Sequence, residues 1–187
     1  LRALVPAAPG DPLKEPAFHR LSAWLKTRFG ERVYKVSLRG GFTCPNRDGT
    51  RGEEGCHFCA GDALEPVGYC ADQSIEEQLQ RGMDYIRERH GAHKYIAYFQ
   101  DYSATYAPVA QLRRLYAPVL AQESVVALAA GTRPDCVPQP VLALFAEYAA
   151  QRDLEVWLEL GLQIADDSVL EDLGRGHSVR DFVRAVK

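Results

Sequence analysis

From residue 33 onward the chain alternates short apolar runs with longer stretches of helical period, four times over, and that order restricts the fold more than anything else in it. "RVYKVSLRGG", "KYIAYFQDY", "SVVALAAGT" and "LEVWLELGLQ" read as strands. The segments after the first three, "SIEEQLQRGMDYIRERHG", "APVAQLRRLYAPVLAQ" and "PQPVLALFAEYAAQ", read as helices, the first opening on a capping box of Ser74 and Glu77. Parallel strands need a crossover, usually a helix, so the repetition predicts an α/β fold with a parallel sheet of right-handed βα units, either a barrel or a doubly wound sheet. Ahead of the first strand, Phe18, Leu21, Trp24, Leu25 and Phe29 share helical spacing, with Gly30 as a stop. The chain divides into an N-terminal extension with a lead helix, 1–30, and a core, 31–187.

The strand faces narrow the choice. In "VWLELGLQ", Val156, Leu158, Leu160 and Leu162 form an apolar face suited to burial under helices, whereas Trp157, Glu159, Gly161 and Gln163 share the other. Glu159 and Gln163 would be costly in a dry core without partners, so that face predicts a concave, partly wet lumen. The polar face of the first strand, Lys35, Ser37 and Arg39, agrees.

A formal charge of -3 gives no global electrostatic footprint of a nucleic-acid binder, although Arg39, Arg47 and Arg51 form a local patch able to attract phosphate. No run reaches the roughly 18 apolar residues needed to span a bilayer, and Leu1 to Pro12 lacks the blocks of a signal peptide. The cytoplasm is the default expectation, with no membrane partner. Five cysteines, three clustered in "TCPNRDGTRGEEGCHFCA", point in a reducing compartment to metal binding or catalysis rather than a disulfide framework.

Cys44, Cys56 and Cys59 lie within sixteen residues, in a loop after the first strand. One reading is structural zinc with Cys70 as fourth ligand, in a binding module that interacts with RNA and has no catalysis. The Cys44 to Cys56 gap is long for a zinc knuckle, and Cys70 belongs to a different segment. The other reading is a 4Fe-4S cluster on Cys44, Cys56 and Cys59, which leaves one iron open to an exogenous ligand. A doubly wound flavodoxin-like binder with incidental cysteines is a third possibility, but no glycine-rich phosphate loop of the expected kind follows the first strand. Cys136 reads as a small, partly buried residue.

Five motifs in order, "GGFTCPNRDGTRGEEGCHFC", "YFQDYSATYAP", "AAGTRPDCVP", "EVWLELGLQ" and "LGRGHS", resemble radical S-adenosylmethionine (SAM) proteins, within them the YhcC-like group, and more distantly the elongator catalytic subunit and coproporphyrinogen dehydrogenase relatives. The resemblance implies a partial (β/α)6 TIM-like barrel, truncated after about four βα units, that binds a 4Fe-4S cluster through Cys44, Cys56 and Cys59. It implies an enzyme that cleaves SAM reductively to a 5'-deoxyadenosyl radical. By position, Phe58 matches the aromatic near the adenine, Gln163 a contact to the ribose, and Arg175 the partner of the methionine carboxylate. Gln100 to Ser103 occupy the place where relatives present backbone to the SAM amino group. Glu159 is expected to contact SAM or substrate, or to pair with Lys35 or Arg39, and Thr132 and Arg133 to line the mouth of the third strand. The implied partners are a flavodoxin- or ferredoxin-like reductant and a substrate that the sequence leaves unidentified, with tRNA a candidate.

Three departures stand out. The cysteine gaps are longer than the usual pattern, so the loop must fold back, with Gly49, Gly52 and Gly55 giving it freedom. Gly131 stands where many relatives carry a ribose-contacting glutamate. The chain also stops inside the helix begun near "SVRDFVRAV", so the expectation is the N-terminal portion of a longer protein, inactive alone.

Overall fold

The computed structural model describes residues 18–59, 72–151 and 153–187. Its elements follow the order α1 (Leu21–Phe29), β1 (Val33–Leu38), α2 (Ile75–His90), β2 (Lys94–Phe99), α3 (Val109–Ala121), β3 (Val125–Thr132), a 3-10 turn (Pro134–Cys136), α4 (Gln139–Gln151), β4 (Glu155–Leu160), α5 (Asp167–Asp172) and α6 (Val179–Val186). The four strands form one sheet in the order β1-β2-β3-β4. All three pairings are parallel, with one register shift between Tyr95 and Ile96. This is the open, four-strand form of the expected α/β barrel.

Local chemistry sets the element boundaries. Ser74 accepts from the Glu77 backbone N–H while Glu77 returns a bond to Ser74 N, closing the capping box that opens α2. α1 ends at Gly30, whose φ of 80° is the left-handed conformation glycine adopts without penalty. α2 lies so close to β1 that a Cβ on Gly82 would fall 2.4 Å from Val36 Cγ1, so only glycine fits there.

Strand alternation splits the core in two. On one face Val36, Leu38, Tyr95, Ala97, Phe99, Leu128 and Ala130 pack with Leu79, Met83, Leu112, Tyr116 and Leu144 of the helices, and Val156 and Leu158 join them. On the other face Leu25 of α1 packs with Ile96, Ala127 and Ala129, bordered by Trp24, Phe29, Val33 and Trp157. Trp24 and Trp157 meet with ring centroids 5.9 Å apart. Arg28 of α1 bonds to Glu155 at 2.8 Å and also pairs with Asp153. The lead helix is thus packed into the lower half of the inner face.

Above α1 that face turns polar. Lys35 Nζ on β1 reaches Glu159 Oε1 on β4 at 3.5 Å, although these strands are the two edges of the sheet. Strands about 4.8 Å apart would hold such edges about 14 Å from one another in a flat sheet. The sheet is therefore curled, and the inner face is concave. No helix among the described residues is long and apolar enough to cross a membrane.

Candidate functional site

The cysteine loop, 43–59, lies at the C-terminal ends of the strands and folds back on itself. Arg47 N donates to Cys44 O at 2.8 Å, Arg51 N to Pro45 O at 2.7 Å, Gly55 N to Asn46 O at 2.8 Å and Cys59 N to Cys56 O at 2.8 Å. Gly49 and Gly55 supply positive φ as the sequence anticipates; Gly52 is not among the positive-φ glycines. Two neighbours clamp the loop. After β2, Asp101 accepts from Phe42 N at 3.2 Å and Ser103 N donates to Thr43 O at 3.3 Å. After α5, the Asn46 amide donates to Gly174 O at 2.5 Å and Arg175 O at 3.0 Å, and His57 N donates to Leu173 O at 3.1 Å.

Each of the three loop cysteines has an arginine beside it. Arg175 Nη1 donates to Cys56 Sγ at 3.2 Å, where Asn46 Nδ2 also approaches at 3.4 Å. Arg133 Nη1 points at Cys44 Sγ from 3.9 Å. Arg47 Nη2 reaches the Cys59 carbonyl at 3.4 Å, and hydrogen bonding with Cys59 raises the guanidinium pKa. Arg51 bonds to Asp135 at 3.0 Å and to Gly176 O at 2.6 Å. Arg47 and Arg51 are thus engaged within the loop region, so the phosphate patch read from sequence is largely committed to holding the loop.

Cys44, Cys56, Cys59 and Cys136 are free thiols, and Cys70 lies outside the described residues. Burial pushes the Cys136 thiol up to about 12, and the residue sits 3% exposed in the packed interior, outside the cysteine loop. The other three suit a thiolate-bound metal centre: soft donors in one loop, each with a cation able to offset negative charge. No group of three or more His, Cys, Asp or Glu among the described residues is drawn together tightly enough to hold an ion. The donor chemistry fits, and the three sulfurs would have to converge on binding.

Around Cys56 the structure gathers several residues singled out by sequence. The Arg175 guanidinium lies 5.5 Å from the centroid of the Phe58 ring and donates to Gly161 O at 2.6 Å. Phe58 is 48% exposed, so its ring faces solvent beside the buried arginine. Gln163 carries a positive φ of 77°, and a Cβ on Gly161 would lie 3.0 Å from its side-chain amide and 3.3 Å from Arg175 Nη2. A non-glycine left-handed residue at a site mouth is strain of the kind that accompanies function.

Glu159 and Gln100 line a neighbouring groove of about 410 Å³ with Tyr98, Tyr102, Gly131 and Gly161. Glu159 accepts from Tyr98 Oη at 2.7 Å and pairs with Lys35, and Gly131 is its register partner on β3. Ser103, in contrast, is fully buried. Thr132 is largely buried, its hydroxyl 2.6 Å from that of Thr105. Asn46, Asp101 and Asp135 do structural work that the sequence did not reveal. Their signal, polar residues beside "CP", "FQ" and "RP", is too common to single out.

The family model of the Radical SAM superfamily matches residues 44–187. Protein YhcC of Escherichia coli strain K12 is 45% identical over 168 residues, covering 87% of this chain and 51% of its own. Protein YtqA of Bacillus subtilis strain 168 is 37% identical over 172 residues, covering 92% and 53%. The chain therefore spans about half the length of these curated relatives. A solved structure of Elp3 from Methanocaldococcus infernus, with an N-terminal deletion, shares the fold at TM-score 0.51 and 18% identity, over 82% of this chain and 34% of that one. With its cysteine loop at the mouth of an open parallel barrel and its similarity to these proteins, the chain belongs to the radical SAM superfamily, in a YhcC-like group.

Proposed function

We propose that the chain carries the cofactor-binding part of a radical SAM enzyme, with Cys44, Cys56 and Cys59 as ligands of a 4Fe-4S cluster and SAM held beside them. When bound, the cluster supplies one electron and SAM the 5'-deoxyadenosyl group that removes hydrogen from a substrate. The carrying observation is that Arg175, 119 positions from Cys56 in sequence, donates to its sulfur while the Phe58 ring and the Gln163 amide both lie near the Arg175 guanidinium.

In this reading Arg175 offers its forked donors to a carboxylate, and the Phe58 ring offers a face for a planar base. Gln163 has an amide suited to hydroxyls. Gln100 and Glu159 extend the binding surface along the groove, and Ser103 acts from beneath through the backbone it fixes. A flavodoxin- or ferredoxin-like protein supplies the electron. The substrate is unassigned; tRNA remains a candidate on resemblance alone, and the engaged loop arginines add nothing to it.

Anaerobic reconstitution with iron and sulfide, followed by metal analysis and electron paramagnetic resonance after dithionite, tests the ligand set. Matched iron and sulfide in the wild type, lost in Cys56→Ala, is the expected result. A colourless protein that takes zinc instead, through a site needing Cys70, overturns it. Release of 5'-deoxyadenosine from SAM by the loaded protein then tests the chemistry.

A further inference from the structure

At the C-terminal end of β3, Arg133 and Asp135 make a bidentate pair, with Nε to Oδ1 and Nη2 to Oδ2 both 2.9 Å, and their side chains are only 3% and 5% exposed. Arg51 bonds to the same carboxylate at 3.0 Å. Beneath them Thr105 Oγ1 donates to Cys136 O at 2.6 Å, fixing the turn. Burial opposes the charge on Arg133, but Asp135 first, then Cys44 and Cys136, outweigh it, so the guanidinium pKa is raised overall. The remaining nitrogen, Nη1, faces Cys44 Sγ.

A buried ion pair is weak evidence for stability, because desolvation consumes much of the attraction. Here two guanidinium cations share one carboxylate, the buried Arg133 and the 44% exposed Arg51, so a net positive charge is held near a sulfur, with its Arg133 share in a low-dielectric setting. Potentials of thiolate-bound iron–sulfur groups respond to net charge and to hydrogen bonds on the sulfurs. We propose that Arg133, fixed by Asp135, is a positioning residue that makes a cluster on Cys44, Cys56 and Cys59 easier to reduce. This rests on the cluster reading above. Arg133 is a cleaner probe than Arg175, which is also assigned to SAM. The step concerned is addition of one electron, taken from dithionite, with no bond made or broken in the protein.

The test is a redox titration of the reconstituted chain, followed by electron paramagnetic resonance, for wild type, Arg133→Met, Arg133→Lys and Asp135→Asn. Arg133→Met is expected to disfavour reduction about tenfold, which is about 59 mV more negative for a one-electron couple. Arg133→Lys, which keeps the charge, should stay closer to wild type. Asp135→Asn, which removes the anion while its remaining amide oxygen still accepts from Arg133 Nε and holds the guanidinium in place, should shift the potential the other way. A purely structural role gives lower thermal stability in all three with no opposed shifts, and that pattern, or no shift, overturns the proposal. If Arg133→Met fails to load, Asp135→Asn decides: a positive shift supports the assignment, and a zero or negative one overturns it. A wild type that takes up no iron and sulfide brings down this proposal together with the cluster reading; a loaded wild type whose potential ignores these substitutions brings down this one alone.

Discussion

Glu159 on one edge strand and Tyr98 on the second strand share a 2.7 Å hydrogen bond, with the Lys35 ammonium 4.0 Å from the Tyr98 ring centroid. Burial, reinforced by the Glu159 carboxylate, pushes the Tyr98 phenol up to about 12. Glu159→Gln removes the carboxylate but not the burial. The Tyr98 pKa should then fall yet remain above 10.0, seen as a difference between phenolate titrations of wild type and variant. The Lys35 and Glu159 side chains are 38% and 44% exposed, so loss of their pairing should change unfolding free energy by less than about 1 kcal/mol.

Leu25 is the buried residue through which α1 packs on the inner sheet face. Leu25→Ala leaves a cavity against Ile96, Ala127 and Ala129, and should cost about 2–5 kcal/mol in urea unfolding. A cost near zero would mean that α1 is not docked there in solution.

Gly176 has φ 64°, and a Cβ there would fall 2.5 Å from Asn46 Oδ1. Gly176→Ala therefore combines a left-handed alanine, which costs about 1–2 kcal/mol, with displacement of the Asn46 clamp. Amide exchange at residues 46–57 should accelerate more than at β2 and β3. Uniform acceleration would show global destabilisation instead.

Asp101 is buried, and burial raises its pKa above 3.8 despite backbone hydrogen bonds from Gly40 and Phe42. A carboxyl with a raised folded pKa contributes stability below its unfolded pKa and loses it as pH rises through the folded value. Asp101→Asn carries no such ionisation. Its stability relative to wild type should climb as pH rises from 3.8 through the folded pKa, then level off, in denaturant midpoints measured across that window. A difference independent of pH would mean that Asp101 titrates as it does in the unfolded chain.

The strand faces were legible because burial leaves a period of two: Val156 and Leu158 do turn to the helices, and Trp157 and Glu159 to the interior. The capping box of α2 was legible because Ser74 and Glu77 interact within one turn. α5 was not, since its six residues bury only Leu170 and leave no stripe to read. Nor were the partners of the cysteines. Cys44 and Arg133 are separated by 89 positions and Cys56 and Arg175 by 119, so only the strand order brings them together. The sequence names the residues at the mouth; chain topology decides which sulfur meets which cation.

Trp24 and Leu25, wedged against Ile96, Ala127 and Trp157, give the hollow a bottom. Under the proposed function, a guest held beside Glu159 is barred from being threaded through from below. How deep it can reach is set by two indoles underneath it, so enlarging that space means trimming Trp157 or Trp24 rather than remodelling the loops at the rim.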